Sequence, residues 1–386
     1  MVFPYTASSV LYLATELDTW KTRLDYRGVL PRAWAGRLRR ELEAEAVAAS
    51  TSMEGVRVTV DEVHRILAGD LPGETREEDA ALVRGYRDAM SFVLRRADDA
   101  GFKWDRELVI GLHDRVLAGN WAAGAGRFRT ASAYVVDARS GQLRFRPPGP
   151  EDVSGLVDAA CSVMQSGLEH PAIAAAWIHV ATAVIHPFSD GNGRVSRVLA
   201  SLAMYRGGFK LPEFTSLEEW WGHHRGDYYA SFTCLGESFD PAVDVTPFIR
   251  AHLEAQLHQI RALDLRERVQ QRVWRSVEET VADAGLQPRV ANAVWDAFFG
   301  RSVTPRYYRP LADVSPATAV TDLAGAVAAG LLRPEGQGRS RRYRAGDGLY
   351  ERIGSALGVK VDVGGEPGRA IILGELAKHV AAERTG

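Results

Sequence analysis

A polar loop at residues 186–197, set between two apolar runs, constrains this chain more than any other stretch. The loop reads HPFSDGNGRVSR, and the apolar runs at 172–185 and 198–205 lie on either side of it. Pro187 disfavours the helical conformation for the residue before it, so a helix through the first run is expected to stop at His186. The stretch therefore predicts a helix, a tight polar loop and a second helix.

The first half of the loop offers a base and a metal ligand. His186 titrates near neutrality and is suited to accept a proton from an attacking hydroxyl. Asp190 is a hard oxygen ligand suited to Mg2+ (or Mn2+) held between phosphates. Phe188 is expected to anchor the loop in the core. These residue types favour chemistry on a phosphate ester.

The second half of the loop offers an anion site. Gly191 and Gly193 allow the backbone to approach a ligand closely and to direct N–H groups at it. The second helix is expected to begin at about Asn192, so its amino end faces the same anion. Arg194 and Arg197 lie three residues apart on one helical face, and both can bind phosphates.

An ordinary turn is the alternative interpretation of this loop. Asp-Gly and Asn-Gly pairs are common turn formers, and no single residue of the loop indicates a site. The combination of a base, a metal ligand, backbone donors and two arginines favours a phosphate site instead.

The loop resembles the HPFxxGNGRxxR signature of the Fic (Fido) family, with Asp at the metal position, and every fixed position matches. The resemblance implies a mainly α fold, a helical bundle with a β-hairpin flap. It also implies transfer of AMP from ATP–Mg2+ to a Ser, Thr or Tyr hydroxyl of a target protein or of the chain itself. In such a protein His186 deprotonates the hydroxyl and Asp190 holds the metal on the α- and β-phosphates.

The same resemblance assigns the phosphate contacts. Asn192 and the loop amides bind phosphates, and Arg194 and Arg197 hold the β- and γ-phosphates. Relatives that phosphorylate have Ala and Lys where this chain has Gly191 and Gly193, so the glycines favour nucleotidyl transfer.

A second motif precedes the loop. A helical pattern that begins at Pro31 is expected to end at Gly55, and Ser50 and Glu54 share one face of it. Glu54 lies at the negative end of that helix, where carboxylates are disfavoured, although a solvated glutamate is the ordinary explanation. The string STSMEG at residues 50–55 resembles the inhibitory motif [S/T]xxxE[G/N] of Fic proteins with an N-terminal inhibitory helix.

This second resemblance implies an inhibitory role for Ser50, Glu54 and Gly55. Glu54 would pair with Arg197 and fill the space that the γ-phosphate needs. The same glutamate could also position water for the removal of AMP from a modified target, and the sequence leaves this alternative open.

Residues 119–150 depart from the helical pattern. Short β-prone runs at 134–136 and 143–145 enclose a polar turn at 139–141, which predicts a hairpin. A surface decoration is one interpretation. In Fic proteins the corresponding segment, opening with a string like GRFR at 126–129, is the flap over the active site, and a target segment would dock on residues 127–148 as an added strand.

Aromatic residues follow the second helix in the string HHRGDYY at 223–229. The adjacent histidines lack a third ligand for a metal site. The tyrosines resemble the YYxxL-like segment near the adenine of Fic proteins, with Phe232 in place of Leu, so His224 and Tyr229 are candidate nucleotide-binding residues. A core role is equally consistent for these rings, and His179 is predicted to be a core histidine.

The pattern predicts an N-terminal helical region with the inhibitory helix (1–95), a catalytic core (96–255), a helical connector (256–288), a winged helix-turn-helix-like domain (289–350) and a tail (351–386). The predicted winged helix includes short helices at 303–311, 315–323 and 327–332 and a basic wing at 333–344. Arg339, Arg341, Arg342 and Arg344 of the wing are candidates for DNA phosphate contacts. The recognition helix at 315–328 offers few base-reading side chains, and protein contact or homodimerisation is the alternative.

Composition sets broad limits. The net charge of −2 gives no global attraction to nucleic acid or membrane. Two cysteines and the absence of a secretory start predict a cytoplasmic protein, and the apolar stretch at 171–185 is too short to span a bilayer. ATP is the expected small-molecule partner. A nucleotide-sensing DNA-binding regulator is the alternative to an enzyme, although a sensor needs neither the base nor the metal ligand.

Overall fold

The computed structural model describes residues 2–25, 32–73, 75–137, 140–211, 217–338 and 341–383. It does not describe the side chains of residues 25–41. Within these limits the chain forms two compact units, Met1–Arg261 and Ala262–Gly386. The predicted helix start Pro31, the hairpin residue Arg139 and the wing residue Arg339 lie outside the described residues.

Helices dominate both units, which confirms the prediction of a mainly α fold. The helices that begin in the first unit are α1 (Leu11–Asp25), α2 (Arg32–Met53), α3 (Val60–Leu67), α4 (Glu77–Arg96), α5 (Arg106–Val116), α6 (Pro150–Ser166), α7 (Pro171–Ile185), α8 (Asn192–Arg206), α9 (Leu217–His223), α10 (Arg225–Ser231) and α11 (Thr246–Asp283). No helix in the described part of the chain has both the length and the apolarity needed to cross a bilayer.

The core of the first unit is built around α7 and α8. Both helices are buried over nearly their whole length, as the two apolar runs predicted. Pro171 starts α7 at a position where the missing N–H costs nothing, and Gly207 ends α8. The polar loop between the helices is therefore held at the centre of the unit.

The predicted hairpin is present as β1 (Val135–Val136) and β2 (Leu143–Phe145). The strands are antiparallel, with Val135 opposite Phe145 and Val136 opposite Leu143. The Phe145 side chain is buried in the core, whereas Val136 and Leu143 are exposed. One face of the hairpin is thus anchored, and the other is open to solvent.

The second unit holds the remaining helices and strands of the described residues. It contains α12 (Ala291–Phe298), α13 (Pro305–Ala312), α14 (Pro316–Ala328), β3 (Leu332–Glu335), β4 (Arg342–Ala345), α15 (Leu349–Ala356) and α16 (Gly365–Ala382). β3 and β4 pair antiparallel, with Leu332 opposite Ala345.

Two predicted boundaries in this unit were wrong. The helix expected at 303–311 begins at Pro305, because the Thr304 side chain caps it and Val303 instead pairs with Tyr343. The helix expected at 327–332 does not form: α14 continues to Ala328, and Leu332 opens β3.

The wing arginines form ion pairs within the sheet. Arg344 Nε lies 2.9 Å from the Glu335 carboxylate, and Arg342 Nε lies 3.9 Å from it. A DNA backbone would compete with this carboxylate for both side chains, so the DNA contact stays a prediction.

Candidate active site

His186 ends α7 in a left-handed conformation. Its φ and ψ are 49° and 59°, and its N–H still donates to the Thr182 carbonyl at 3.0 Å. Pro187 explains why the helix stops there, since the residue before a proline avoids the right-handed helical region. The half-buried imidazole is therefore fixed at the mouth of the loop rather than along the helix.

Arg129 ties the hairpin segment to His186. Arg129 Nε donates to the His186 carbonyl at 2.8 Å, and Nη2 donates to the Pro148 carbonyl at 2.6 Å. The Arg129 N–H also donates to the Pro187 carbonyl at 3.0 Å. Sequence reasoning assigned no role to this buried arginine, because the carbonyls it binds carry no residue-type signal.

His113 is a second residue that sequence reasoning missed. The Gly126 N–H donates to His113 Nδ1 at 3.1 Å, so the proton of the neutral ring is on Nε2, which donates to the Asp190 carbonyl at 3.0 Å. The ring also stacks on Phe188, with centroids 3.6 Å apart. Burial lowers the pKa of His113 to about 4, so the ring stays neutral at neutral pH.

Asn192 closes the loop on itself. Its side-chain oxygen accepts from the Phe188 N–H at 2.9 Å, and its NH2 group donates to the Phe188 carbonyl at 2.8 Å. Phe188 is fully buried, as predicted for an anchor. Gly191 has φ of 76°, a left-handed conformation that favours glycine. The side chain of Asn192 thus braces the loop in this structure.

Asp190 presents a carboxylate at the surface of the loop. Its side chain is 60% exposed and lies 3.2 Å from Arg194 Nη2, while Oδ1 accepts from the Gly191 N–H at 2.6 Å. Among the described residues, no group of three His, Cys, Asp or Glu side chains converges as a metal site would require. A single exposed carboxylate fits Mg2+ that takes its remaining ligands from substrate phosphates and water.

Arg194 is buried with unused donors. Its side chain is 2% exposed, and its Nε and Nη1 have no hydrogen-bond partner in the described part of the chain. Buried N–H groups are nearly always paired, and more so when they carry charge. The guanidinium therefore marks a place where an anion would complete the hydrogen bonding.

Arg197, in contrast, donates hydrogen bonds to residues at the end of α2 and directly after it. Arg197 Nε donates to Ser50 Oγ at 2.9 Å, and Nη2 donates to the Ser50 carbonyl at 3.2 Å. Arg197 Nη2 also donates to Glu54 Oε1 at 2.9 Å, in an ion pair whose glutamate is 25% exposed. Arg197 Nη1 lies 3.5 Å from the Tyr228 hydroxyl. Ser50 and Glu54, which precede Arg197 by 147 and 143 residues in the sequence, thus hold its guanidinium.

The Glu54 carboxylate lies over the first turn of α8. A Cβ placed on Gly193 would be 2.4 Å from Glu54 Oε1 and 3.1 Å from Arg197 Nη1. The amino end of a helix attracts anions, and glycine at this position leaves room for the carboxylate. Gly55, with φ of 89°, turns the chain directly after Glu54.

The pKa of His186 is lowered, first by burial of the ring and further by the charge of Arg129. Glu54 and Asp190 act in the opposite direction but do not reverse the shift. The imidazole is therefore neutral at neutral pH, which is the protonation state that a base requires.

Of the two remaining candidate residues, His224 lies between α9 and α10, and Tyr229 lies within α10. The His224 ring stacks on Trp220 with centroids 3.8 Å apart, and His224 Nδ1 lies 2.9 Å from the Trp220 carbonyl. Tyr229 is 58% exposed, with its ring centroid 5.4 Å from that of the buried Tyr228. An exposed aromatic face on Tyr229 is available for stacking, whereas His224 already has a stacking partner.

Comparison with known proteins agrees with this geometry. Residues 103–204 match the Fic/DOC family. "Protein adenylyltransferase Fic" of Culex quinquefasciatus is 34% identical over 145 residues, which are 37% of this chain and 25% of that protein. The protein of the same name from Nematostella vectensis is 28% identical over 206 residues, 52% of this chain and 44% of that protein. The chain thus spans less than half the length of these curated relatives.

Solved structures show the same fold. A Fic family protein from Desulfovibrio desulfuricans superposes with a TM-score of 0.57 at 20% identity, over 89% of this chain and 98% of that chain. A Fic domain-containing signaling protein from Bacteroides thetaiotaomicron gives a TM-score of 0.51 at 20% identity, over 65% of this chain and 96% of that chain. Residues 103–204, which contain the loop at 186–197 and the hairpin, therefore resemble the Fic/DOC family in sequence, and the chain shares the fold of these solved structures.

Proposed function

We propose that this protein transfers AMP from ATP to a hydroxyl group of a protein side chain, and that Glu54 holds the enzyme in an inhibited state. The observation that carries the proposal is the ion pair of Glu54 with Arg197 over Gly193. A carboxylate at that position imitates a terminal phosphate at the amino end of α8. The names of the curated relatives support adenylyl transfer as the reaction.

The base of the proposed reaction is His186. Its neutral ring accepts the proton of the target hydroxyl as the hydroxyl oxygen attacks the α-phosphorus of ATP and pyrophosphate leaves. Arg129 fixes the His186 backbone, so the ring needs little reorganisation before the reaction. Asp190 would hold Mg2+, which supplies positive charge to the phosphates when it is bound.

The arginines of α8 divide the phosphate binding between them. Arg194 Nε and Nη1, which have no partner among the described residues, are available to bind an anion. Arg197 becomes available only when Glu54 leaves, because Ser50 and Glu54 occupy its donors. The γ-phosphate and the Glu54 carboxylate therefore compete for one guanidinium, and ATP that loses this competition lies in a pose unsuited to in-line attack.

The exposed side of the hairpin supports docking of the target on residues 127–148. Tyr134, Val136 and Leu143 are 61%, 53% and 41% exposed on or beside its strands. An extended target segment that adds to this short sheet would bury these side chains and bring its hydroxyl towards His186.

The test compares two labels on ATP. Glu54→Gly protein with Mg2+ is given ATP labelled at either the α- or the γ-phosphate, alone and with cell lysate. Protein-bound label is expected from the α-label alone, and His186→Ala added to Glu54→Gly should remove it. Transfer of the γ-label would indicate phosphorylation instead, and no transfer from any of the four NTPs would refute the proposed activity.

A further inference from the structure

A small cavity lies beside Arg197, bounded by α7, α8, α9 and α11. Its lining combines apolar side chains with those of His179, Arg197, Ser201, Glu218, Trp221, His252 and Gln256. His179, Trp221 and His252 are 1%, 3% and 3% exposed. None of these three residues takes part in the chemistry proposed above.

Four ring nitrogens of the cavity wall lack partners. Among the residues that the structure describes, His179 Nδ1, Trp221 Nε1 and both nitrogens of His252 are buried without a hydrogen bond. They come from three different helices and line the same space. Buried polar atoms without partners are rare in folded proteins, and four around one cavity indicate an occupant that can form hydrogen bonds.

The hydrogen bonds around Tyr228 indicate what His179 offers to that occupant. Arg197 Nη1 donates towards the Tyr228 oxygen, at 3.5 Å, so the Tyr228 hydroxyl is free to donate to His179 Nε2, 3.1 Å away. His179 then carries its proton on Nδ1, the atom without a partner. Trp221 Nε1 is also a donor, and neutral His252 provides one donor and one acceptor.

We propose that this cavity is a water site whose water accepts hydrogen bonds from His179 Nδ1 and Trp221 Nε1 and donates one to His252. The water completes a hydrogen-bonded chain through His179 and Tyr228 to Arg197. Burial lowers the pKa of both histidines, which keeps them neutral and suited to a neutral occupant. An apolar occupant would leave every one of these nitrogens unpaired.

The chain makes His179 and Tyr228 positioning residues for Arg197. It fixes the lone pair of the Tyr228 oxygen towards Arg197 Nη1, and so fixes the plane of the guanidinium. This part of the inference rests on the proposed function, because the guanidinium is set for either Glu54 or a terminal phosphate. Existence of the water site does not depend on that function.

The first experiment reads the His179 tautomer directly. In protein with 15N-labelled histidine, long-range 1H–15N spectra are expected to show His179 protonated on Nδ1, and Tyr228→Phe is expected to move that proton to Nε2. A high-resolution crystal structure should show density for water between His179, Trp221 and His252. His179 protonated on Nε2 in the unsubstituted protein, or a cavity that takes up xenon or a halide in place of water, overturns the proposal.

The second experiment measures the effect on Arg197 without requiring catalysis. In the Glu54→Gly protein, His252→Leu is expected to weaken ATP binding about threefold to tenfold by calorimetry, in line with one hydrogen bond. Trp221→Phe, a milder change, should act in the same direction. His379→Leu, at an exposed histidine of α16, should leave ATP binding unchanged. Equal ATP affinities in all four proteins contradict the positioning role, whether or not AMP transfer has been detected.

Discussion

Gly222 of α9 lies so close to Ala49 of α2 that a Cβ on Gly222 would be 2.8 Å from the Ala49 Cβ. Next to this contact, Arg225 Nη2 donates to Ser52 Oγ at 2.8 Å, and Met53 packs against Leu217 and Trp221 in a small apolar cluster. The end of the proposed inhibitory helix is therefore held by α9 and by the first residue of α10. The degree of inhibition by Glu54 should therefore depend on how closely α2 and α9 pack.

Gly222→Ala is expected to weaken inhibition. The added methyl group overlaps Ala49, and relief of an overlap worth about 1–3 kcal/mol requires α2 to move away from α9. Transfer of α-labelled AMP should rise about tenfold in a protein that still contains Glu54. Gly226→Ala, at a helical glycine with no atom within 4 Å of the new Cβ, is the matched control and should leave transfer unchanged. Equal transfer by both variants would contradict this role of α9.

Ser50→Ala is expected to act through the same guanidinium as Glu54. Loss of the hydroxyl leaves the buried Arg197 Nε without its 2.9 Å partner, which costs about 1–3 kcal/mol in the inhibited state. Both changes disturb one network, so their effects on ATP affinity should not add. Titrations of ATP into the two single variants and the double variant measure this coupling, and strict additivity would show that Ser50 and Glu54 act independently.

Arg129→Lys is expected to lower the rate of AMP transfer at least tenfold in the Glu54→Gly background. A lysine cannot donate to the His186 and Pro148 carbonyls together, so the loop and the base of the hairpin separate. Arg95→Lys is the control, since Arg95 is exposed on α4 and lies outside the proposed docking segment 127–148. The turnover number at saturating ATP is the measurement. An unchanged value for Arg129→Lys would exclude this bracing role.

The folded protein is expected to lose stability as the pH falls, at pH values above those at which its carboxylates become protonated. Burial lowers the pKa of His113 to about 4 and that of His252 to about 3. Below an unfolded-state value of about 6.5 the unfolded chain binds protons that the folded protein excludes, so the free energy of unfolding falls as pH falls. Above that pH, His113 makes its full contribution to the free energy of unfolding. About 3 kcal/mol of that contribution is lost when the pH falls to 4.

Urea denaturation at about pH 7, 6 and 5 measures this dependence. His113→Gln should lower stability at neutral pH. It should also make the free energy of unfolding depend less on pH, because glutamine takes up no proton in either state. His258→Gln, at an exposed histidine, should leave the slope as it is. A free energy of unfolding that is constant from about pH 7 to 5 would contradict the prediction.

Binding of Mg2+ is expected to require nucleotide. The described residues place a single exposed carboxylate, that of Asp190, at the loop, and one carboxylate cannot hold Mg2+ in competition with water. Calorimetric titration of Mg2+ into the Glu54→Gly protein should show no heat of binding without ATP. With ATP present, Asp190→Asn should weaken the metal-dependent part of binding and leave metal-free ATP binding intact. Tight Mg2+ binding in the absence of ATP would contradict the prediction, because the Asp190 carboxylate by itself does not explain it.

The sequence by itself determined the local features of this protein. Pro187 stops α7 at His186 because it restricts the backbone of its neighbour, and the apolar runs on either side of the loop lead to two buried helices. Gly191 of the loop marks where the backbone turns before α8. These features depend on interactions within a few residues, which a sequence pattern records directly.

Only the tertiary structure decided which groups meet. It brings Arg129 to the carbonyl of His186 and seats His113 beneath Asp190, and neither contact has a signal in residue type, since the partners are backbone atoms. Among the described residues, it also leaves Nε and Nη1 of Arg194 unpaired while it surrounds Arg197 with Ser50, Glu54 and Tyr228. Hydrogen bonding and burial depend on distances between segments far apart in the chain, and packing of the whole unit sets those distances.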